Sequence, residues 1–146
     1  MEAYLIATAC TKFEKKADQT FKSLTEEVYC DLLKSAKVEN GDMIGQAWFG
    51  NCGMGTFGQN NIRGQVCFTP LVQKKLFPER VGIINVEGGC ATGSMAFHGA
   101  WKDVISGTED VSLAIGVEKI YQPNQPEKIQ EIYDGGIDQF DRNDWL

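Results

Sequence analysis

The chain has 146 residues, with 14 Lys plus Arg against 20 Asp plus Glu, a formal charge of −6, 42% hydrophobic residues and 16 glycines. That length accommodates one globular domain, or a piece of one. An ordinary apolar fraction beside 23% charged residues excludes disorder, and glycines without a period exclude a fibrous chain.

The acidic balance offers no electrostatic attraction to nucleic-acid phosphates or an anionic membrane surface, so neither is expected as a partner. No run approaches the roughly 18 apolar residues of a spanning helix. The start, Met1-Glu2-Ala3-Tyr4, lacks the basic flank of a signal peptide, so a cytoplasmic location is expected. The five cysteines, Cys10, Cys30, Cys52, Cys67 and Cys90, form an odd set with no C-x-x-C spacing. That fits neither a disulfide framework nor a zinc ribbon, and it makes most of them reduced, buried small hydrophobes.

In chain order, Ala3 to Thr8 reads as a short buried strand, and Lys12 to Gln19 is charged and turn-like. From Ser23, the positions Leu24, Val28, Leu32 and Leu33 share one helical face, Glu26 and Glu27 occupy the first turn, and Asn40-Gly41 supplies a stop. Ile44 to Gly50 reads as a second buried strand. Gly53 to Gly58 reads as a flexible loop, and Ile62, Val66, Leu71, Val72 and Leu76 as a helix bent near Pro70 and closed by Pro78. Gly82 to Val86 is a third strand, Ala91 to Ser106 a helix, and Asp110 to Val117 a fourth strand.

The order βαβαβαβ implies a mostly parallel sheet with right-handed crossovers, helices on both faces, and function at the carboxyl ends of the strands. Residues 1–120 therefore form an α/β domain. Residues 121–146, with prolines, glutamines and loop chemistry, have little core of their own.

Asn85-Val86-Glu87-Gly88-Gly89-Cys90-Ala91-Thr92-Gly93-Ser94 joins a buried strand to an amphipathic helix through small residues. Cys90 falls at the helix N-terminus, where unpaired N–H groups and the helix dipole favour a thiolate and can also donate to an oxyanion. Gly88 and Gly89 admit the tight turn of a nucleophile elbow. The same spacing also suits an ordinary strand-to-helix turn with Cys90 packed among its neighbours, so both readings stand.

The remaining candidates carry less. Gly53 to Gly58 offers backbone amides to a phosphate but matches neither G-x-x-x-x-G-K-[ST] nor G-x-G-x-x-G. His98, the single histidine, is eight residues past Cys90 on the same helix, roughly 12 Å along the axis and too far to be its base. The acidic run of Glu131, Asp134, Asp138, Asp141 and Asp144 lacks calcium-loop spacing, so no metal site is assigned.

Two local motifs carry a family resemblance. The first is Cys90-Ala91-Thr92-Gly93-Ser94, preceded by Asn85 and followed by Ser106-Gly107 and Gly116-Val117-Glu118-Lys119; the second is Gly58-Gln59-Asn60 with Arg63. With Thr11-Lys12-Phe13 they span about residues 3 to 120, and they resemble the amino-terminal half of a thiolase, closest to the sterol-carrier-protein-x type. Glu87-Gly88-Gly89 departs from the family's usual approach to the cysteine.

The resemblance implies that Cys90 is the acyl-accepting nucleophile, that its own N–H helps hold the thioester oxyanion, and that the substrate is an acyl-CoA, with coenzyme A as co-substrate and no other cofactor. It implies thiolytic cleavage of a 3-oxoacyl-CoA, or the reverse Claisen condensation, with an aromatic or branched acyl group such as benzoylsuccinyl-CoA. The family's histidines and acid/base cysteine lie in a carboxyl-terminal half unmatched in 121–146, so a complementary thiolase half and an oligomer are expected, and the chain alone should not turn over. Some members of this branch also work with a zinc-ribbon and OB-fold partner. The alternatives are a condensing relative, such as a ketoacyl synthase or hydroxymethylglutaryl-CoA synthase, and a non-catalytic assembly subunit.

Overall fold

The computed structural model describes residues 2–141. Helix α1 (Phe21–Ala36) opens on a capping box: Thr20 Oγ1 accepts from the Ser23 amide at 3.1 Å, and the Thr20 amide donates to Ser23 Oγ at 2.8 Å. It stops at Lys37, in the left-handed region at φ 59°, whose amide returns to the Leu33 and Lys34 carbonyls. The chain then runs through strand β1 (Gln46–Gly50), a 3-10 turn at Gly53–Phe57, helix α2 (Arg63–Gln73), strand β2 (Gly82–Val86), a 3-10 turn at Gly89–Ala91, helix α3 (Thr92–Ser106), strand β3 (Ser112–Gly116) and helix α4 (Lys128–Asp134).

The α/β class holds. All three strands are parallel in the order β2-β1-β3, with Gln46 opposite both Gly82 and Ser112. Alternation along a strand sends Trp48 and Phe49 to opposite faces, and the glycines show what covers each. A Cβ on Gly64 of α2 would fall 2.7 Å from Phe49 Cβ, whereas one on Gly99 of α3 would fall 2.4 Å from Trp48 Cδ2. Helices therefore lie on both faces of the sheet.

The two faces are not equally finished. On the α1/α2 side, Tyr29, Phe49, Phe68 and Leu71 are fully buried, and the Phe68 ring meets Phe77, Tyr29 and Phe49 edge-on at centroid distances of 4.5, 5.9 and 6.2 Å. On the other face α3 covers the sheet among the described residues, and it leaves Met95, Phe97 and Trp101 exposed.

Two expectations are corrected. Ala3 to Thr8 is not a strand: Tyr4, Leu5 and Ile6 are 76%, 68% and 64% exposed, and the segment walls a cavity of about 330 Å³ whose other walls include Phe97, Trp101 and the β3 edge at Val111–Ala114. An apolar run becomes a strand only when a neighbour takes its backbone hydrogen bonds, and the cavity stands where that ladder would be. The order among the described residues is consequently αβαβαβα. The flexible loop at Gly53 to Gly58 is instead a 3-10 turn, closed by Gly58 at φ 93°. In the 121–146 segment, residues 128–134 form the short helix α4. No helix of the described residues is long and apolar enough to cross a membrane.

Candidate active site

The three strands end together, and residues at or just past their ends make one cluster. Asn51 follows β1 and is 1% exposed. Its Nδ2 donates to the Val117 carbonyl beyond β3 at 2.6 Å, and its Oδ1 accepts from the Met54 amide at 2.9 Å. Arg63, at the start of α2, donates through Nη1 to the Asn51 carbonyl at 2.5 Å. Asn85, at the end of β2, accepts from the Gly64 amide at 2.6 Å and donates to Gln65 at 2.8 Å. These bonds fix the mutual height of the strand ends, which is what a site drawn from several strands requires.

Glu118 supplies the anion of the cluster. Its carboxylate accepts from the Cys52 amide and, at 3.1 Å, from the Gly53 amide. The first amides of the glycine-rich stretch considered for phosphate are thus already occupied by the protein's own carboxylate. Burial pushes the Glu118 carboxyl above the ordinary glutamate range, opposed by those two amides and by the Arg63 charge.

Cys90 lies in the 3-10 turn immediately before α3, after the end of β2, and is exposed. The turn around it is held from within. Gly89 sits at φ 56°, a left-handed conformation that a side chain would strain. Its amide donates to Glu87 Oε1 at 2.9 Å, and the Gly88 amide donates to Thr92 Oγ1 at 2.9 Å. The Thr92 hydroxyl donates to the Gly89 carbonyl at 2.8 Å, and the Ala91 amide donates to the Gly88 carbonyl at 3.0 Å. Among the described residues the Cys90 amide has no hydrogen-bond partner. The arrangement therefore presents an accessible sulfur beside a free N–H at the positive end of a 15-residue helix.

Cys52, from the opposite strand end, places its sulfur 3.2 Å from the Gly89 carbonyl oxygen and 2.9 Å from Thr92 Oγ1. Burial pushes its thiol above the ordinary cysteine range, partly opposed by the Thr92 hydrogen bond. Cys67 is a buried core cysteine 3.9 Å from Met54 sulfur. His98 stacks on Trp101, with centroids 5.5 Å apart and planes at 18°, as a helix-packed histidine does. Of the acidic run, Asp144 lies outside the described residues. Sequence reasoning placed Cys90 at this helix start but missed Cys52, Thr92 and Asn51, because their roles arise from contacts between segments far apart in the chain. The signal available was that Asn51-Cys52 directly follows a buried strand, where such chemistry collects.

Comparison with known proteins agrees with this topology. The family model for the thiolase N-terminal domain matches residues 3–139. The benzoylsuccinyl-CoA thiolase subunit BbsB of Thauera aromatica is 32% identical over 117 residues, covering 80% of this chain and 28% of that protein. An acetyl-CoA acetyltransferase of Methanocaldococcus jannaschii gives the same identity and coverage, and one of Methanothermobacter thermautotrophicus is 28% identical over 121 residues, 80% of this chain and 29% of that protein. The chain thus spans less than a third of the length of these curated relatives.

Proposed function

The chain belongs to the thiolase family, and on that premise we propose that it supplies the acyl-accepting cysteine of an acyl-CoA acyltransferase. The observation that carries the reading is the pairing, in one residue, of an exposed sulfur and an unpartnered N–H at the start of α3. Attack by the Cys90 thiolate on the carbonyl carbon of an acyl thioester forms a C–S bond and moves the π electrons onto oxygen, which the Cys90 N–H stabilises. Collapse of that adduct breaks the C–S bond to CoA and expels its thiolate. When a 3-oxoacyl-CoA is cleaved, the thiolate attacks the 3-oxo carbon instead, the C2–C3 bond breaks and the enolate of the shortened acyl-CoA leaves. In both cases the acyl group stays activated on the Cys90 sulfur.

Among the described residues no imidazole or second thiol stands ready to move the proton. His98 is engaged with Trp101, and Cys52 faces the Gly89 carbonyl and Thr92. The acid/base groups therefore come from a complementary thiolase half. Its seat is the unfinished face: Met95, Phe97 and Trp101 of α3 and the cavity beside the β3 edge form an apolar surface of the kind that marks an interface. That one relative is named a subunit supports action within an assembly. The sterol-carrier-protein-x type, a degradative direction, a cytoplasmic setting and an aromatic or branched 3-oxoacyl-CoA complete the proposal.

The test is an acyl-enzyme trap. The assembled protein, mixed with acyl-CoA and quenched in acid, should carry the acyl group on the peptide containing Cys90. Cys90→Ser should abolish the adduct and leave assembly intact; an adduct that persists in this variant rejects the assignment.

A further inference from the structure

We propose that Cys52 is a positioning residue for the acyl-transfer step: its thiol, together with the Thr92 hydroxyl, holds the Gly89 carbonyl so that the amide of Cys90 faces the acyl oxygen. The inference rests on the reading of Cys90 as acyl acceptor and adds to it how the oxyanion donor is aimed.

The planar peptide group links the two ends of this contact. No peptide bond of the described residues is cis, so the carbonyl of Gly89 and the N–H of Cys90 lie in one plane and point in opposite directions. Whatever anchors the carbonyl therefore orients the N–H. That carbonyl is gripped by the Thr92 hydroxyl at 2.8 Å, by the Thr92 amide, and by the Cys52 thiol at 3.2 Å. Two of these donors belong to α3 itself, while the third comes from the end of β1. Without Cys52 the plane is tied only to the helix it precedes; with it, the plane is tied to the sheet.

The anchor is itself anchored. The Cys52 amide is held by Glu118, and the preceding Asn51 is buried and bonded to Val117 and Met54. The sulfur therefore has little freedom to withdraw. Its contacts require a hydrogen on at least one partner. Because the Thr92 hydrogen is spent on the Gly89 carbonyl, the Cys52 thiol must keep its single hydrogen, which it shares between the Gly89 carbonyl and Thr92 Oγ1 as a three-centre bond. Cys52 is thus a donor rather than a second nucleophile.

The experiment compares two reactions of Cys90 in the assembled protein. Acylation by acetyl-CoA passes through an oxyanion; alkylation by iodoacetamide displaces iodide at a saturated carbon and does not. Cys52→Ala should slow acylation roughly tenfold, a fraction of the 10²–10³ that complete loss of an oxyanion donor costs. Its iodoacetamide rate and the pH profile of that rate should stay within about twofold of wild type, since a displaced amide leaves thiolate attack itself intact. Cys52→Ser, which keeps a donor, should recover most of the acylation rate. Thr92→Val provides a second variant of matched shape and should show the same split between the two reactions.

Equal acylation by Cys52→Ala and wild type overturns the inference and leaves Cys90 as the nucleophile. So does a parallel loss of both reactions, or a serine variant as slow as the alanine one, since each denotes a merely structural role. A wild-type protein that alkylates at Cys90 but never acylates overturns the proposed function, and this inference with it.

Discussion

Asn51 is the residue on which the strand ends depend, and replacing it with the isosteric aspartate isolates one hydrogen bond. In Asn51→Asp the Oδ1 role survives, since a carboxylate still accepts from the Met54 amide at 2.9 Å and faces the Arg63 guanidinium at 3.5 Å. The Nδ2 role is lost, and an oxygen now stands 2.6 Å from the Val117 carbonyl oxygen. Losing the bond costs about 1 kcal/mol, and leaving a buried carbonyl without its donor adds about 1–2 kcal/mol. The expected destabilisation at pH 7 is therefore about 2–3 kcal/mol, or a fall in Tm on the order of 4–12 °C for a chain of this size. The loss should be pH-dependent. Burial at 1% exposure and the facing Val117 carbonyl, to which only the protonated acid can donate, raise the folded-state pKa of the introduced carboxyl above its unfolded value of about 3.9, against the opposing pull of the Met54 amide and Arg63. The stabilising contact is then present below the unfolded pKa and lost as pH rises through the folded one. Urea unfolding of the purified protein, run from pH 4 to pH 7 for wild type and variant, should show the gap widening with pH. A variant within about 0.5 kcal/mol of wild type at pH 7, or a gap independent of pH, refutes this account of the strand ends.

Glu118→Gln tests the carboxylate that accepts the Cys52 and Gly53 amides in the same way. Since burial raises the folded pKa of Glu118, its favourable contribution is present below the unfolded pKa near 4.5 and declines as pH rises through the folded value. Wild type should therefore lose stability relative to the glutamine variant on going from pH 4 to pH 7; a constant difference in unfolding midpoint counts against it. Gly99→Ala tests the seating of α3. Its Cβ would meet the Trp48 indole at 2.4 Å, and that ring is pinned by its N–H bond to Asp103 at 2.7 Å. Overpacking of about 1–3 kcal/mol should exceed the roughly 1 kcal/mol helix-propensity gain, so thermal melting should show a net loss; a raised Tm would show that the indole gives way freely.

Much of the fold is legible because its elements declare themselves locally. The 3.6-residue spacing of Leu24, Val28 and Leu32 marks α1, and the apolar runs before Asn51 and Glu87 mark strands, although only the first is buried and β2, expected to be buried, is a largely exposed edge strand. The run at Ala3 to Thr8 looks the same in sequence, yet a strand is a relation between two segments, and no segment of the described chain pairs with it. Helix α4 escapes because two prolines and three glutamines precede or enter it, and its seven residues carry no buried face. The site divides similarly. Cys90 is visible from its place between a strand and a helix, whereas Cys52 acts across 37 residues of chain to Gly89 and 40 to Thr92, a distance at which spacing has no meaning.

The exposed runs and the self-bonded turn have a common physical origin. Phe97 and Trp101 of α3 line the same cavity as Tyr4, Leu5 and Ile6, so the uncovered helix face and the unpaired N-terminal run are one continuous apolar surface. On the opposite face the aromatic cluster around Phe68 is already closed. A core on one side of the sheet suffices to hold the strands in register, and the strand ends are locked by Asn51, Arg63 and Asn85 without help from the open side. Among the described residues, the turn bearing Cys90 is then shaped by Thr92, Cys52 and Glu87 together with its own Ala91–Gly88 bond. Its geometry belongs to this chain, and a covering partner would supply dryness and a base rather than the position of the sulfur.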